Sequence, residues 1–219
     1  MSAGERQAPR ASSVFDDARL VLIARRAPSA VLLEALGAFA EAGLRHVEIT
    51  LDSDDACATI RRIRGRFPGM AAGAGTVRSA ADVARAAEAG AQFAVSPHGD
   101  PALASAARAA GIPYVPGAFT PTEILAAWSW GVPMVKLFPI APIGSGFLRQ
   151  LRGPIPDVPL IVTGGVTGEN AVEYRRAGAT AVGMGSELLR RWRDGDDRDH
   201  LLLIEQLRQL IADVETVSA

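Results

Sequence analysis

Residues 88–95 read Glu-Ala-Gly-Ala-Gln-Phe-Ala-Val: the end of an alanine-rich helical stretch, a glycine, and an apolar run typical of a β-strand. Glycine readily adopts the left-handed conformation in which many helices end, so the pattern marks a junction between a helix and a strand. The junction recurs, at intervals of 20 to 26 residues, at Gly43, Gly69, Gly90, Gly111, Gly131, Gly153 and Gly178. Together with an initial apolar run at 20–24, these seven junctions predict eight strands that alternate with helices.

Alternating strands and helices of this period build a parallel sheet, and eight of them in one domain predict a closed barrel. We therefore predict an α/β fold, a single-domain (β/α)8 TIM barrel, with a doubly wound open sheet as the alternative. The barrel is expected to cover residues 11–219, including an amphipathic helix at 200–214, and residues 1–10 to form a flexible N-terminal arm. A short helix at 12–19 is expected to close the bottom. The predicted strands are 20–24, 45–51, 70–75, 91–95, 112–116, 133–138, 159–163 and 180–183.

Composition narrows the class of protein. Hydrophobic residues make up 48% of the 219 residues and charged ones 21%, which excludes a disordered chain. The formal net charge of -1, with acids and bases dispersed, predicts no nucleic-acid partner and no membrane partner. Cys57 is the single cysteine, so an intramolecular disulfide is excluded. The N-terminal residues lack the apolar stretch of a signal peptide. We therefore expect a cytoplasmic protein.

Lysine is almost absent from the chain. Of 23 lysines and arginines, 22 are arginine, which leaves Lys136 as the single lysine. It lies in an apolar, strand-like run at 132–139, where a buried amine is unfavourable unless it is paired or neutral. A desolvated lysine, unlike arginine, can lose its proton and attack a carbonyl carbon. The position favours a catalytic lysine. The alternative is a lysine left by arginine-biased coding, with its amine reaching solvent at the strand end.

Glu48 is the second catalytic candidate. Because side chains alternate between the two faces of a strand, Glu48 and Lys136 both point into the predicted barrel, while Val47 and Ile49 face the helices. Active sites of such barrels form at the C-terminal ends of the strands. The two side chains thus predict a nucleophilic amine with a neighbouring acid/base. A structural ion pair is the alternative.

Two glycine-containing turns predict an anion site. The seventh predicted strand ends in Thr163-Gly164-Gly165, and the eighth is followed by Gly185-Ser186; each turn precedes a helical stretch. Glycines let backbone N–H groups approach a ligand, and helix N-termini favour negative charge. These two loops are also the recurrent phosphate position in TIM barrels. Tight turns alone would explain either glycine pair, but the two together in these strands predict phosphate binding.

Other strand ends carry candidate substrate contacts. Thr76 follows the third predicted strand at the mouth of the barrel, and Pro97 follows the fourth. Arg25 closes the first strand, where its planar guanidinium could hold a carboxylate or a phosphate. A solvated strand-end arginine is the alternative for Arg25.

At these residues the sequence resembles the class I aldolases for 2-keto-3-deoxy-6-phosphogluconate (KDPG) and its galactonate counterpart (KDPGal). The resemblance covers roughly residues 18–193. It rests on the order and strand-end placement of seven short motifs: Val47-Glu48-Ile49-Thr50-Leu51, Gly73-Ala74-Gly75-Thr76, Ser96-Pro97, Pro116-Gly117, Lys136-Leu137-Phe138-Pro139, Thr163-Gly164-Gly165-Val166 and Gly185-Ser186.

The resemblance implies roles for these residues. The lysine that matches Lys136 forms a Schiff base with pyruvate or the keto acid, and the glutamate that matches Glu48 is the acid/base. Thr76 and Pro97 match residues around the pyruvyl part of the substrate. The loops that match Gly164, Gly165 and Ser186 hold the phosphate. The family further implies a keto-acid phosphate substrate cleaved to pyruvate and glyceraldehyde 3-phosphate, no metal or organic cofactor, and a homotrimer.

One position departs from the family pattern. KDPG aldolases usually carry an arginine one residue past the Thr-Leu pair, where it engages the substrate carboxylate, but here Asp52 and Ser53 follow Leu51. KDPGal-type members have a small polar residue there and an arginine at the end of the first strand, which Arg25 matches. Asp52 fits neither pattern. Its negative charge would either disfavour an anionic carboxylate or orient a hydroxyl.

Two other functions are compatible with the same residues. In a noncovalent sugar-phosphate isomerase or epimerase, Lys136 would act only as a charge. A non-catalytic barrel would bind a sugar phosphate without reaction. Glu48 and Lys136 argue against the second, because phosphate binding needs neither of them.

Overall fold

The computed structural model describes residues 14–185 and 187–217. The strands are β1 (Leu20–Ala24), β2 (His46–Thr50), β3 (Ala71–Gly75), β4 (Ala94–Val95), β5 (Tyr114–Val115), β6 (Gly117–Ala118), β7 (Val135–Leu137), β8 (Leu160–Thr163) and β9 (Ala181–Met184). The helices are α1 (Ser29–Glu41), α2 (Ala56–Arg66), α3 (Ala80–Glu88), α4 (Pro101–Ala109), α5 (Pro121–Trp128), α6 (Gly144–Arg152), α7 (Ala171–Arg176), α8 (Glu187–Asp194) and α9 (Asp197–Thr216). The predicted arm at 1–10 lies outside the described residues.

The strands form one parallel sheet in the order β5-β4-β3-β2-β1-β9-β8-β7-β6. Its two end strands, β5 and β6, lie on either side of Pro116: β5 falls within the predicted strand 112–116, and β6 extends beyond it. The Val115 carbonyl accepts a hydrogen bond from Ser96 on one side, and the Pro116 carbonyl accepts one from Lys136 on the other. The two end strands therefore join β4 to β7 and close the sheet, which confirms the TIM barrel.

The predicted glycine junctions are largely confirmed. Five of the seven glycines have positive φ, but Gly69 and Gly153 do not. Between α2 and Gly69 the chain already turns at Phe67, whose φ is -126°. Gly153 has φ -56°, and α6 ends there because Pro154 has no N–H to continue the helix.

Two apolar layers surround the sheet. Outward-facing residues such as Leu22, Val47 and Leu137 pack with the helices in the larger core. Inside the barrel, a smaller core that includes Phe93 and Met134 fills the bottom. The strand alternation predicted from sequence is therefore confirmed, and the polar inward positions are left for the upper part of the barrel.

The N-terminal segment closes the floor differently from the prediction. Residues 14–17 form a turn and not a helix, with the Ala18 amide donating to the Phe15 carbonyl over 3.1 Å. This turn directs Phe15 into the barrel, where its ring lies 4.9 Å from that of Phe93, centroid to centroid. His46 donates from Nε2 to the Val14 carbonyl over 2.8 Å and fastens the same segment. The Phe15 side chain thus closes the bottom of the barrel.

The C-terminal helix begins earlier than predicted. Asp196 caps α9, and Asp199 completes a reciprocal capping box, so the helix starts at Asp197 and not at residue 200. Its other end is held by Arg175, which is 2% exposed and donates to the carbonyls of Val214 and Val217, each over 2.9 Å. Burial lowers the pKa of Arg175 to about 10, together with the charge of Arg19.

Across residues 14–185 and 187–217, no helix has both the length and the apolar character needed to cross a membrane.

We expect Gly73→Ala to destabilise the protein. The added Cβ would lie 2.1 Å from Phe93 Cε2, inside the barrel core, so the ring must shift. Overpacking of this kind lowers the free energy of unfolding by about 1–3 kcal/mol, measurable by urea denaturation. The control is Gly37→Ala in α1, where nothing lies within 4 Å of an added Cβ; we expect it to stabilise the protein by about 0.5–1 kcal/mol. Equal effects of the two substitutions would contradict this account of the core.

Candidate active site

Lys136 and Glu48 meet inside the upper part of the barrel. Lys136 projects from β7 and Glu48 from β2, and Lys136 Nζ lies 3.9 Å from Glu48 Oε1. Their side chains are only 7% and 2% exposed. This separation is too long for a direct hydrogen bond, although it is within ion-pair range. The structure therefore brings the two predicted catalytic residues together in a nearly solvent-free position.

The Glu48 carboxylate occupies space that a glycine leaves open. A Cβ on Gly75 would lie 1.9 Å from Glu48 Oε1, so no larger residue fits at the end of β3 without displacing the carboxylate. Gly73, two residues earlier on the same face, makes room for Phe93 in the same way. The Gly-Ala-Gly sequence of β3 thus provides the volume for one apolar and one acidic side chain.

Two buried polar oxygens at the site have no hydrogen-bond partner among the described residues. They are Glu48 Oε1 and Thr163 Oγ1, on the inner faces of β2 and β8. Most buried polar side-chain atoms in folded proteins are hydrogen-bonded, because a buried unpaired group is costly. A purely structural ion pair would be expected to satisfy its carboxylate more fully. The unpaired oxygens are therefore available to a ligand.

An aromatic ring lies near the amine, and a proline lies beside its strand. Lys136 Nζ lies 5.3 Å from the centroid of the Phe138 ring. Gly117 pairs with Lys136 across the sheet, and a Cβ on Gly117 would lie 2.4 Å from the carbonyl carbon of Pro97. The absence of that side chain lets Pro97 approach the strand beside Lys136. Pro97, predicted to lie around the reacting part of a substrate, is thus close to the lysine strand.

The loop after β8 lies beside the loop that follows Lys136. Gly164 and Gly165 have φ of 85° and 95°, a conformation that favours glycine. The Gly164 carbonyl accepts from the Ala141 amide over 2.9 Å. A Cβ on Gly164 would lie 2.9 Å from the Phe138 ring, and one on Gly165 would lie 2.4 Å from Ala141 Cβ. Both glycines are therefore required for the close packing of these two loops.

The predicted anion site is described only in part. Gly185 follows β9, and nothing lies within 4 Å of an added Cβ there, so this position faces open space. Ser186 lies outside the described residues. Thr163 pairs with Gly183 across β8 and β9, which places the ends of these two strands side by side.

Arg25 and Thr76 are joined by a hydrogen bond at the mouth. Arg25 donates from Nη2 to Thr76 Oγ1 over 3.1 Å and from Nη1 to Asp52 Oδ2 over 2.9 Å. Thr76 has φ 58°, an unfavourable conformation for a β-branched residue and of the kind that clusters at functional sites. Thr76 directly follows Gly75, the residue against which the Glu48 carboxylate packs. Arg25 and Thr76 therefore lie on the Glu48 side of the mouth.

Asp52 is paired, which the sequence did not indicate. Its Oδ2 lies 2.9 Å from Arg25 Nη1 and 3.5 Å from Arg26 Nε. Partial burial acts to raise the pKa of Asp52, but a hydrogen bond with Thr50 and the charges of the two arginines outweigh it and hold that pKa below its usual value. The carboxylate is thus bound to the protein's own cations.

Sequence reasoning also missed the role of Gly75 as space for Glu48. The signal was present, because a glycine on the inner face of the strand next to Glu48 leaves volume that a neighbouring side chain can fill. No comparable signal exists for the Asp52 pairing, since a residue in a turn has no fixed facing direction.

Within the described ranges, no group of three or more His, Cys, Asp and Glu side chains is arranged to hold a metal ion.

This arrangement suits amine chemistry on a carbonyl compound. It provides one buried amine, one carboxylate within 4 Å of it and the aromatic ring of Phe138 beside it. A nucleophile with an adjacent acid/base is the minimum set for covalent catalysis through a lysine. The glycine turns after β8 and β9 lie at the position where TIM barrels commonly bind phosphate.

Comparison with known proteins agrees with this geometry. The sequence profile described as KDPG and KHG aldolase matches residues 12–201. A probable 2-dehydro-3-deoxy-6-phosphogalactonate aldolase from Rhizobium meliloti is 37% identical over 155 residues, which are 70% of this chain and 73% of the relative.

Solved structures give the same result. The structure described as native KDPGal has a TM-score of 0.77 and 28% identity, and the match covers 93% of this chain and 95% of the other. A KDPG aldolase from Legionella pneumophila, with pyruvate captured at low pH as a covalent carbinolamine intermediate, has a TM-score of 0.74 and 26% identity over 94% and 97% of the two chains. The matched region extends over most of the barrel, and the chain belongs to the KDPG and KHG aldolase family.

Proposed function

We propose that the protein is a class I aldolase that cleaves a 2-keto-3-deoxy-6-phospho sugar acid, KDPG or KDPGal, to pyruvate and glyceraldehyde 3-phosphate. The observation that carries the proposal is the buried amine of Lys136, 3.9 Å from the Glu48 carboxylate. The family supports the same chemistry, since its members are named for this reaction.

In the first step, the neutral amine of Lys136 attacks the C2 carbonyl carbon of the substrate. Proton transfer to the resulting hydroxyl lets it leave as water, and the C2–N double bond of an iminium forms. We assign these proton transfers to Glu48; the assignment is supported by its Oε1, which lies 3.9 Å from Nζ and has no hydrogen-bond partner among the described residues.

In the second step, the C3–C4 bond breaks and its electron pair moves into the iminium, forming an enamine. The C4 hydroxyl loses its proton as the aldehyde forms, assisted by Glu48 directly or through one water. The enamine is then protonated at C3, and hydrolysis releases pyruvate and restores Lys136. The protein's contribution is to hold the reacting atoms near one proton carrier in a site of low polarity.

The mouth supplies two places for substrate anions. We assign the C1 carboxylate to Arg25 and Thr76, with Pro97 against the pyruvyl part, and the phosphate to Thr163, Gly164, Gly165, Gly185 and Ser186. Thr163 Oγ1 is buried and unpaired among the described residues, and Gly185 faces open space. These features suit a ligand at the ends of β8 and β9.

Three finer assignments accompany the proposal. We infer a homotrimer, a cytoplasmic location and a second activity on 4-hydroxy-2-oxoglutarate, the last because the family profile names KHG aldolases beside KDPG aldolases. Sedimentation of the purified protein tests the trimer, and a substrate panel assayed by pyruvate release tests the second activity.

Borohydride reduction in the presence of pyruvate tests the Schiff base. We expect the protein mass to increase by one reduced pyruvyl group, carried by the peptide that contains Lys136. Lys136→Met should give no adduct on this peptide and none on any other lysine, because no other lysine exists in the chain. A circular dichroism spectrum of the variant controls for folding. Absence of an adduct from folded wild-type protein at saturating pyruvate would overturn the proposal and favour the noncovalent isomerase or binding barrel.

We expect Gly75→Ala to lower kcat for substrate cleavage by about 100-fold, since acid/base catalysis typically contributes this much. The added methyl would overlap Oε1, Cδ and Cγ of Glu48 and displace the carboxylate. Gly65→Ala in α2, with nothing within 4 Å, is the matched control. The same overlap should lower the free energy of unfolding of Gly75→Ala. Adding Glu48→Ala should recover most of that loss. Unchanged kcat in Gly75→Ala would exclude Glu48 as the proton carrier.

Gly185→Asp tests the phosphate site. The position has open space and its φ is not positive, so the fold should tolerate a side chain. A carboxylate beside the phosphate should raise KM for the phosphorylated acid about tenfold, which is about 1.4 kcal/mol. The half-saturating pyruvate concentration for borohydride trapping should stay the same. Gly185→Asn is the uncharged control; equal KM values for the Asp and Asn variants would place the phosphate elsewhere.

A further inference from the structure

Asp52 contacts two guanidinium groups at the mouth of the barrel. Oδ2 accepts from Arg25 Nη1 over 2.9 Å and lies 3.5 Å from Arg26 Nε. A quarter of the Asp52 side chain is exposed, compared with 48% of Arg25 and 76% of Arg26. The carboxylate is therefore the most enclosed member of the cluster and lies between two more exposed cations.

The turn that carries Asp52 is itself fixed. The Ser53 hydroxyl accepts from the Arg26 amide over 2.8 Å and lies 3.0 Å from the Thr50 hydroxyl. The Ser53 amide donates to the Thr50 carbonyl over 2.9 Å. The turn after β2 is thus bonded to the turn after β1, where Arg26 has φ 49°. Asp52 therefore approaches Arg25 from a rigid support.

Arg25 is held on both sides as a result. Nη1 is bound to Asp52 and Nη2 to Thr76, so one guanidinium joins the ends of three neighbouring strands. A free arginine side chain has many rotamers, and part of this freedom is lost when it binds an anion. A guanidinium that is already ordered loses less. It still has N–H groups to donate, because a guanidinium carries five and the two described bonds use two.

We propose that Asp52 is a positioning residue that fixes Arg25 against Thr76, so that the guanidinium meets the C1 carboxylate of a 2-oxo acid already ordered. The inference rests on the proposed aldolase function. The carboxylate of Asp52 does not repel the substrate, because its charge is balanced by Arg25, and Arg26 leaves the cluster at a formal charge of +1. Arg25 also lies on the Glu48 side of the mouth. Without a cation there, the Glu48 carboxylate would repel the substrate anion.

Asp52→Asn tests the role, because it removes the charge with little change in shape. We expect the half-saturating pyruvate concentration for borohydride trapping, and KM for cleavage, to rise about three- to tenfold, as an ordered contact becomes a mobile one. We expect kcat to stay within about twofold, since Lys136 and Glu48 are untouched. Asp54→Asn is the matched control: it removes the same charge two residues away, where the structure records no ion pair for Asp54 among the described residues.

A double-mutant cycle separates positioning from a direct electrostatic effect. If Asp52 acts through Arg25, Asp52→Asn has no further effect on KM in an Arg25→Met background. If Asp52 instead repels the substrate, Asp52→Asn lowers KM in both backgrounds, which would overturn the proposal. Unchanged KM in the single variant would overturn it too. An effect on the phosphorylated substrate but not on pyruvate would assign Arg25 to the phosphate and contradict the carboxylate role.

The same experiments distinguish the two proposals. Wild-type protein that forms no pyruvate adduct and releases no pyruvate from any substrate refutes the aldolase function, and with it this role of Asp52. Wild-type protein that is active, with Asp52→Asn indistinguishable from Asp54→Asn, refutes only the positioning role.

Discussion

The upper part of the barrel is organised around one buried pair of opposite charge type, Lys136 and Glu48. Burying a lysine and a glutamate together is unfavourable unless each is well bonded, and here Glu48 Oε1 has no hydrogen-bond partner among the described residues. The fold tolerates this because the two side chains leave opposite sides of a closed sheet and Gly75 gives the carboxylate room. The stability of the fold therefore comes from other parts of the barrel and not from this pair.

The stabilising part and the polar part of the barrel interior are separated along the direction of the strands. The lower interior is apolar and is closed by Phe15, whose ring lies beside that of Phe93, while the outer face of every described strand packs against helices. Glu48 and Lys136 lie higher in the interior, on paired strands, while Arg25, Asp52 and Thr76 lie in the turns beyond the strand ends. Gly73 and Gly75 mark the boundary, since the first makes space for the Phe93 ring and the second for the Glu48 carboxylate.

Much of this was predictable from sequence, because strand alternation and helix-to-strand junctions are periodic. Alternation correctly placed Glu48 and Lys136 inside and Val47 outside, and the single lysine indicated where to look for chemistry. Turns have no such period. The sequence therefore could not show that Asp52 pairs with Arg25. The floor turn at 14–17 was missed for a related reason: burial of Phe15 outweighed local helix propensity, which only the closed barrel reveals.

The charge balance of the mouth links these features to the proposed reaction. With the Lys136 amine neutral, the two arginines Arg25 and Arg26 balance the two carboxylates Glu48 and Asp52. Binding of a substrate carboxylate adds one negative charge, and conversion of the amine to an iminium adds one positive charge. Apart from the phosphate, which is assigned to the ends of β8 and β9, the mouth thus returns to formal charge balance at the stage when the carbon–carbon bond breaks, and in a buried site charges interact more strongly than in water. Asp52 is part of this balance through its pairing with Arg25 and Arg26.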